Sequence, residues 1–153
     1  MAGSDLDGPA VEWCRRNLAF ARFEGNALES PLVFESESFD LVYALSVFTH
    51  LTAELQLAWR DELRRVLRPG GVLLVTTHGR AYLAKLDDEE RDRFESGELV
   101  VRWGDVPGTN LCSAYHPEAY LRDTFAQGFD LTELEPEGAK GNPTQDLVLL
   151  RRS

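Results

Sequence analysis

The side chains most often used in nucleophilic or metal-dependent catalysis show no recognised spacing in this chain. The three histidines, His50, His78 and His116, form no HxxxH pair, and no CxxC motif is present. Zinc sites are commonly built on such local pairs of ligands. Ser46 and Ser113 lack the GxSxG turn that carries the nucleophile of many hydrolases. The sequence therefore predicts neither a metal centre nor a hydrolytic serine.

Two of the histidines stand where a ligand could reach them. His50 and His78 each follow a predicted strand, so either imidazole could face a pocket at the end of a sheet. A hydrogen-bonded structural role is the simpler expectation for each. Cys14 and Cys112 lie far apart among apolar neighbours, and we expect two buried free thiols rather than a disulfide.

The middle of the chain predicts a strand, a helix and a second strand. Phe39–Phe48 (FDLVYALSVF) is apolar almost throughout, which indicates burial on both faces, as in parallel sheets covered by helices. Thr52 is placed to cap a helix that continues through Leu67. The turn 68–71 (RPGG) ends that helix, and Val72–Thr77 forms a second buried strand. Elements in this order form a parallel βαβ unit.

The flanking segments predict shorter elements. Met1–Asp5 is too short and too polar to indicate a proper strand by composition alone. The two terminal apolar runs are joined by the Gly/Pro-rich stretch 135–144, which predicts an antiparallel hairpin. Helices are predicted after Asp7, across Asp87–Glu98 and over Pro117–Phe125; strands are predicted at Phe20–Phe23, Leu99–Trp103, Leu111–Tyr115, Phe129–Leu134 and Asp146–Leu150.

Length and charge limit the possible functions. The 153 residues fit a single domain, 1–153, with ordinary globular composition of 43% hydrophobic and 27% charged residues. The net charge of −10 disfavours binding to nucleic acid or to an anionic membrane surface, both of which need a basic surface. No apolar run approaches the roughly 20 residues of a membrane span. We therefore expect a cytoplasmic protein with a small neutral or cationic partner.

The order of these elements, with the antiparallel terminal hairpin, resembles the class I S-adenosylmethionine-dependent methyltransferase fold, whose seventh strand runs opposite to the others. Several motifs carry the resemblance, and together they span nearly the whole chain. They are Gly3–Asp7 (GSDLD), similar to the end of the family's second strand; Gly25–Ala27 (GNA), similar to the turn after its third; Phe39–Val42 and Val47–Leu51, around its fourth; Leu67–Gly71 (LRPGG), before its fifth; and Gln145–Val148.

The resemblance implies an α/β, Rossmann-like fold and a set of cofactor-binding residues. In open α/β sheets, ligands bind outside the carboxyl ends of the strands. At the end of strand two, Asp5 would accept hydrogen bonds from the ribose hydroxyls of S-adenosylmethionine, and Leu6 would lie against the adenine. Asn26 and Ala27 would meet the adenine edge, although the family usually has Asp where Asn26 stands. Ala44 and Leu45, at the end of strand four, would lie under the methionine part of the cofactor.

The resemblance also implies that one part of the fold is missing. The family's first strand and its GxGxG loop should precede Asp5, yet only four residues do so, and no GxGxG motif occurs in the chain. In that fold strand one lies between strands two and four, so strand four would have an open apolar edge. Such an edge tends to pair with another chain. We therefore expect an N-terminally truncated domain that forms a homodimer or swapped oligomer, with an insertion at 80–115.

Three functions remain open on this reasoning. The first is a methyltransferase acting on a small molecule, with S-adenosylhomocysteine as product and no identified catalytic residue. The second is a non-catalytic, oligomeric module of the same fold that does not bind the cofactor competently. The third is a nucleotide-binding oxidoreductase of Rossmann type, which the terminal hairpin and the LRPGG turn disfavour. Methyl transfer depends mainly on proximity and alignment, so the absence of an acid–base pair does not exclude the first.

Overall fold

The computed structural model describes residues 1–29, 31–141 and 143–153. Its strands form three sheets: β1–β2, the four-stranded β3–β4–β8–β7, and β5–β6. The strands are β1 (Ala2–Asp5), β2 (Arg22–Gly25), β3 (Phe39–Ala44), β4 (Leu67–Thr77), β5 (Val100–Arg102), β6 (Ser113–Tyr115), β7 (Phe129–Ala139) and β8 (Gln145–Arg152); the α-helices are α1 (Gly8–Asn17), α2 (Ala53–Val66), α3 (Asp88–Glu95) and α4 (Glu118–Tyr120).

The four-stranded sheet confirms the predicted βαβ unit and the terminal hairpin. Strands β3 and β4 are parallel, with Leu41 opposite Val72 and Ala44 opposite Val75. Strand β8 runs antiparallel to both β4 and β7 and lies between them. The sheet therefore has β3 at one edge and β7 at the other.

Helix α2 begins where the sequence predicts and ends at Val66, one residue before the predicted end. Strand β4 begins at Leu67, so the predicted turn 68–71 is part of that strand, which was expected to start only at Val72. Thr52 is its N-cap, and the hydroxyl oxygen accepts a hydrogen bond from the Leu55 amide at 3.5 Å. Its buried face contains Leu63 and Val66, which pack in the main core with residues of β4 and β8. Arg60 is also buried. Its guanidinium donates to the Thr124 carbonyl at 2.9 Å and pairs with Asp61, and these contacts compensate the buried charge.

The prediction that Phe39–Phe48 is buried on both faces is wrong. Strand β3 ends at Ala44, and the chain continues into a short 3-10 helix at Phe48–His50. Large apolar side chains at alternating positions are exposed instead, because β3 pairs with β4 along one edge and the described residues place no strand along the other. They are Leu41, Tyr43, Leu45 and Val47.

The first residues form a strand, although their composition did not indicate one. Strand β1 pairs with β2 in parallel, with Gly3 opposite Phe23 and Asp5 opposite Gly25. The β2 strand begins two residues later than the apolar alternation predicts. Helix α1 follows β1, with Asp7 as its N-cap accepting from the Ala10 amide at 3.1 Å. Parallel pairing, which is a tertiary contact, decides the state of this segment.

Residues between β4 and β7 build a second layer over the end of the sheet. The predicted charged helix is confirmed as α3, which has a complete capping box between Asp87 and Glu90. Strands β5 and β6 lie within the two predicted strand segments, and they pair antiparallel. A second cluster of buried side chains holds this region together, and it comprises Tyr82, Leu86, Phe94, Val100 and Tyr115. That residues 80–115 are an insertion stays a prediction.

The helix predicted at Pro117–Phe125 is present in two parts. Helix α4 is a single α-helical turn, and Leu121–Phe125 continues it as a π-helical turn. Leu121 and Phe125 are almost fully buried against the main core. Gly128, with φ of +82°, follows this segment directly before β7. No helix among the described residues is both long and apolar enough to cross a membrane.

Candidate functional site

Asp5 and Leu6 lie at the carboxyl end of β1, and both side chains are exposed. The Asp5 carboxylate accepts a hydrogen bond from the Asp7 amide at 2.8 Å through Oδ1. The Asp5 carbonyl accepts from the Asn26 amide at 3.0 Å, which ties the end of β1 to the turn after β2. A carboxylate, an apolar side chain and a neighbouring turn are therefore held together at one edge of a parallel pair.

Asn26 and Ala27 occupy that neighbouring turn. The Asn26 side-chain amide donates to the Ala27 carbonyl at 2.7 Å, so its Nδ2 already has a partner within the turn. Ala27 is exposed and Asn26 is half-buried. The structure thus brings Asp5, Leu6, Asn26 and Ala27 together, with the Asn26 side-chain amide directed to the backbone of Ala27.

Ala44 and Leu45 lie at the end of β3, in a different sheet. Strand pairing among the described residues does not join β1 to β3, so these two positions form a second group. Leu45 is 55% exposed. The next residue, Ser46, has a left-handed backbone with φ of +57°, which is uncommon outside glycine, and its amide donates to Thr76 Oγ1 at 2.7 Å. The chain therefore turns sharply directly after the predicted cofactor residues.

A polar network joins the ends of β3 and β4 to the start of β8. Gln145 Nε2 donates to Ser46 Oγ at 3.0 Å, and Thr76 Oγ1 donates to Gln145 Oε1 at 2.5 Å. Gln145 Nε2 also lies 3.3 Å from His78 Nε2. Thr76 and Gln145 were not predicted as site residues. The only sequence signal was the family-like run that begins at Gln145, since pairing of distant strand ends is not visible in local patterns.

Two of the three histidines are buried and held neutral. Burial lowers the pKa of His116 to about 3, and its Nε2 lies 3.2 Å from Gln56 Oε1. Burial, reinforced by the nearby charges of His50 and Lys85, lowers the pKa of His78 to about 4. The His78 ring stacks on Tyr82 with ring centroids 4.1 Å apart. His78 therefore has the structural role expected for it, and His116, for which no role was predicted, is also a buried packing residue.

His50 differs from the other two because its side chain is half-buried. Its Nδ1 lies 2.8 Å from the Cys112 carbonyl oxygen. Cys112 is buried, and burial raises the pKa of its thiol. Cys14 is half-buried and, like Cys112, is a free thiol. The free thiols are confirmed, although complete burial of Cys14 is not.

The described cavities lie away from the predicted cofactor residues. One, of about 340 Å³, is lined by residues that include Arg80, His116 and Asp146. Another, of about 480 Å³, is lined by Met1, Phe34 and their neighbours near the opposite ends of the strands. Asp5 and Leu45 border neither. Among the described residues no group of three or more His, Cys, Asp or Glu side chains is placed to hold a metal ion.

The structure has the architecture of an α/β protein whose four-stranded sheet ends in an antiparallel hairpin. The Asp5 carboxylate lies at the end of a parallel strand in the separate β1–β2 pair. Solved structures share this fold. A SAM-dependent methyltransferase from Methanosarcina mazei matches with a TM-score of 0.67 and 20% identity, over 99% of this chain and 81% of that one. A SAM-dependent methyltransferase from Mesorhizobium loti matches with a TM-score of 0.70 and 17% identity, over 99% and 79%.

Sequence comparison gives the same result. A family model described as a methyltransferase domain matches residues 1–75. The tRNA N(3)-cytidine methyltransferase METTL2 of Gallus gallus is 28% identical over 99 residues, which are 65% of this chain and 25% of that protein. Residues 1–75 therefore match the methyltransferase domain family, and the chain shares the fold of solved S-adenosylmethionine-dependent methyltransferases. It matches only a quarter of the length of the METTL2 relative.

Proposed function

We propose that this chain binds S-adenosylmethionine at the ends of β1, β2 and β3 and transfers its methyl group to a small molecule. The observation that carries the proposal is the exposed carboxylate of Asp5 at the carboxyl end of β1, with the apolar side chain of Leu6 beside it. When bound, the cofactor would supply a methyl group on a positively charged sulfur.

The residues present suit the adenosine half of that cofactor. One Asp5 oxygen accepts from the Asp7 amide, and the carboxylate keeps further lone pairs for two ribose hydroxyls. Leu6 would cover the adenine ring, and the exposed backbone of the turn at Asn26 and Ala27 would meet the adenine edge. Ala44 and Leu45 would lie under the methionine part. Charge-assisted hydrogen bonds to a carboxylate are about twice as strong as neutral ones, so Asp5 should dominate the affinity.

Charge supports a small acceptor over a nucleic acid. The METTL2 relative acts on tRNA, but this chain carries a net charge of −10. RNA binding depends on basic side chains that neutralise phosphates, and the acidic balance of this chain opposes it. We therefore infer an acceptor that is neutral or cationic, and we propose a cytoplasmic location for the reaction.

Titration calorimetry with S-adenosylhomocysteine tests cofactor binding directly. We expect binding in the micromolar range to the unmodified chain. Asp5→Ala should weaken it by roughly ten- to a hundredfold, the loss expected for hydrogen bonds to a charged group. Asp40→Ala is the matched control, since Asp40 is also exposed but lies near the opposite end of a strand.

The absence of binding at millimolar ligand, from a chain whose circular dichroism shows a folded protein, would overturn the proposal. Equal weakening by Asp5→Ala and Asp40→Ala would show that the ligand does not contact Asp5. Filter binding of a transfer RNA at low salt tests the acceptor class separately, and tight salt-sensitive binding would contradict a small-molecule acceptor.

A second candidate function is a non-catalytic module that associates with a second copy of itself through β3. The specific observation is that β3 is an edge strand with exposed Leu41 and Tyr43 on one face, and that exposed Leu45 follows directly after the strand. Its one charged residue, Asp40, is paired with Arg68 at 2.7 Å, and the strand has no lysine or proline. Those are the residues that usually protect an edge from pairing. Two copies of β3 could therefore pair across a two-fold axis, because the same apolar row faces itself.

Light scattering coupled to size-exclusion chromatography tests this candidate. The chain should have the mass of a dimer, and the double variant Leu41→Lys/Tyr43→Lys should have the mass of a monomer, because lysines on an edge prevent strand pairing. Leu111→Lys is the control, since Leu111 is exposed outside this strand. A monomeric unmodified chain would exclude self-association through β3.

A further inference from the structure

His50 is the one histidine whose ring is both oriented and accessible. It lies in the short helix after β3, where Phe48, Thr49 and Leu51 are all buried. Gln56 anchors this turn, because its Nε2 donates to the carbonyls of Phe48 and Leu51 at 3.1 Å each. The half-buried His50 side chain is therefore carried on rigid backbone at the edge of the sheet where ligands bind in this fold.

The contact with Cys112 decides which ring nitrogen of His50 carries the hydrogen. A carbonyl oxygen can only accept a hydrogen bond, so Nδ1, at 2.8 Å from the Cys112 oxygen, must be the donor. The neutral ring then has its lone pair on Nε2. The loop that carries Cys112 is itself attached, since the Gly108 amide donates to the His50 carbonyl at 2.7 Å. The ring is thus fixed as a proton acceptor at Nε2.

The other two histidines cannot take this role. His78 is 8% exposed and its Nε2 faces Gln145, while His116 is 2% exposed and its Nε2 faces Gln56. His50 lies five residues after Leu45, which is predicted to line the cofactor. Of the three histidines, His50 therefore has both a ring nitrogen with a lone pair available to a ligand and a side chain that solvent reaches.

We propose that His50 Nε2 accepts the proton of the methyl acceptor, an inference that rests on the proposed methyltransferase function. The acceptor's N–H or O–H gives its proton to Nε2, and its lone pair forms the new bond to the methyl carbon. The electron pair of the broken bond stays on the donor's sulfur, so the positive charge passes from sulfur to the imidazole. The acceptor class is then a small molecule with a hydroxyl or amine whose proton must leave, rather than one that is already anionic.

The first test measures the ring itself. Long-range ¹H–¹⁵N NMR of the histidine side chains should show His50 as the Nδ1–H tautomer at neutral pH. Diethyl pyrocarbonate, which reacts with unprotonated ring nitrogens, should modify His50 more than about tenfold faster than His78 or His116, because the reagent reaches buried rings only through local opening. Peptide mass spectrometry identifies each modified residue. An Nε2–H tautomer, or equal rates at all three histidines, would overturn the proposal.

The second test places the ring beside the cofactor. S-adenosylhomocysteine at saturation should slow modification of His50 several-fold and leave His78 and His116 unchanged. Calorimetry on the same samples separates two failures. Binding without protection overturns the role of His50 alone, whereas the absence of binding overturns the proposed function and the role of His50 together.

A variant separates proton transfer from structural support. In His50→Asn the side-chain amide can still donate to the Cys112 carbonyl but offers no basic nitrogen. We expect it to keep the thermal midpoint and the S-adenosylhomocysteine affinity of the unmodified chain. Loss of either property would show that His50 is needed for structure, and the proposal would fail. Methyl transfer to a phenol or a primary amine as probe acceptor should fall by about 10²- to 10⁴-fold in His50→Asn, the usual contribution of a general base.

Discussion

The first 47 residues and the rest of the chain are packed very differently. Among the described residues, Val11 is the only hydrophobic side chain before Phe48 that is buried. Most of the large hydrophobic side chains that are exposed also lie in this first part, and they are Met1, Leu6, Trp13, Phe20, Val33, Leu41, Tyr43, Leu45 and Val47. After Val47, the large exposed ones are Trp103 and Leu111.

The difference shows where the free energy of folding arises. The main core is made by residues of α2, β4, β7, β8 and the turns around α4, which are all in the second part. A two-stranded sheet such as β1–β2 is marginally stable on its own in water. The predicted adenosine site at Asp5 is therefore built on the less stable part, while the ring of His50 is carried by the well-packed part.

The largest expected effect comes from the core of the second part. Phe125→Ala removes a ring that is 1% exposed and packs edge-on against Phe48 at 4.9 Å between centroids. It should lower the free energy of unfolding by about 3–5 kcal/mol, measured by denaturant titration. Tyr43→Ala, on the exposed side of β3, should change it by less than about 0.5 kcal/mol. Comparable losses in the two variants would contradict the contrast between the parts.

Acid should destabilise the second part through its buried histidines. The pKa of His78 is lowered to about 4 and that of His116 to about 3, from 6.5 for an exposed ring. The unfolded chain therefore takes up protons first as the pH falls below 6.5, and stability that is complete above 6.5 is lost on the way to pH 4. Each histidine contributes a slope of at most about 1.4 kcal/mol per pH unit.

Urea unfolding between pH 6.5 and 5 measures this slope. The window lies above the range where Glu62 and Glu90, whose pKa values are lowered by their arginine partners, would add to it. Asp146, with a pKa raised by burial, acts in the opposite direction. His116→Gln should reduce the slope by about half, and an unchanged slope would show that His116 does not titrate on unfolding.

A smaller loss of stability should follow from weakening a contact between the first part and α2 in the second part. Glu62 is 7% exposed and accepts hydrogen bonds from the Leu32 amide at 2.7 Å and from Arg65 at 2.6 Å. Glu62→Gln keeps an acceptor for Leu32 but removes the charge that holds Arg65, so we expect a loss of about 1–2 kcal/mol. Amide exchange at Leu32 should accelerate more than exchange within β4. Uniform acceleration would indicate global destabilisation instead.

The smallest expected loss of stability comes from a second contact between the first part and α2. Trp59 Nε1 donates to the Leu28 carbonyl at 2.8 Å, which anchors residues after β2 to α2. Trp59→Phe keeps most of the packing and removes the donor, and it should cost about 1 kcal/mol. If the chain binds S-adenosylhomocysteine, calorimetry should also show a weaker affinity, since the turn at Asn26 lies close by in sequence. Unaltered affinity would show that this anchor does not position the turn.

Local patterns in the sequence determined most of the second part. Thr52 before an apolar helical stripe, the capping box of Asp87 and Glu90, and two apolar runs around a Gly/Pro-rich stretch each depend on interactions within a few residues. The structure confirms the helix, the cap and the hairpin for that reason. The motifs GSDLD and LRPGG also pointed to the family, which the comparisons bear out. Their residues' contacts with a cofactor stay predictions.

Tertiary structure decided what local patterns could not. Apolar composition predicted burial of β3 on both faces, yet an edge position leaves Leu41 and Tyr43 exposed. The polar composition of the first residues argued against a strand, yet parallel pairing with β2 forms one. The orientation of His50 depends on a carbonyl 62 residues away. Burial, strand pairing and ring orientation depend on partners distant in sequence, and only the folded chain brings those partners together.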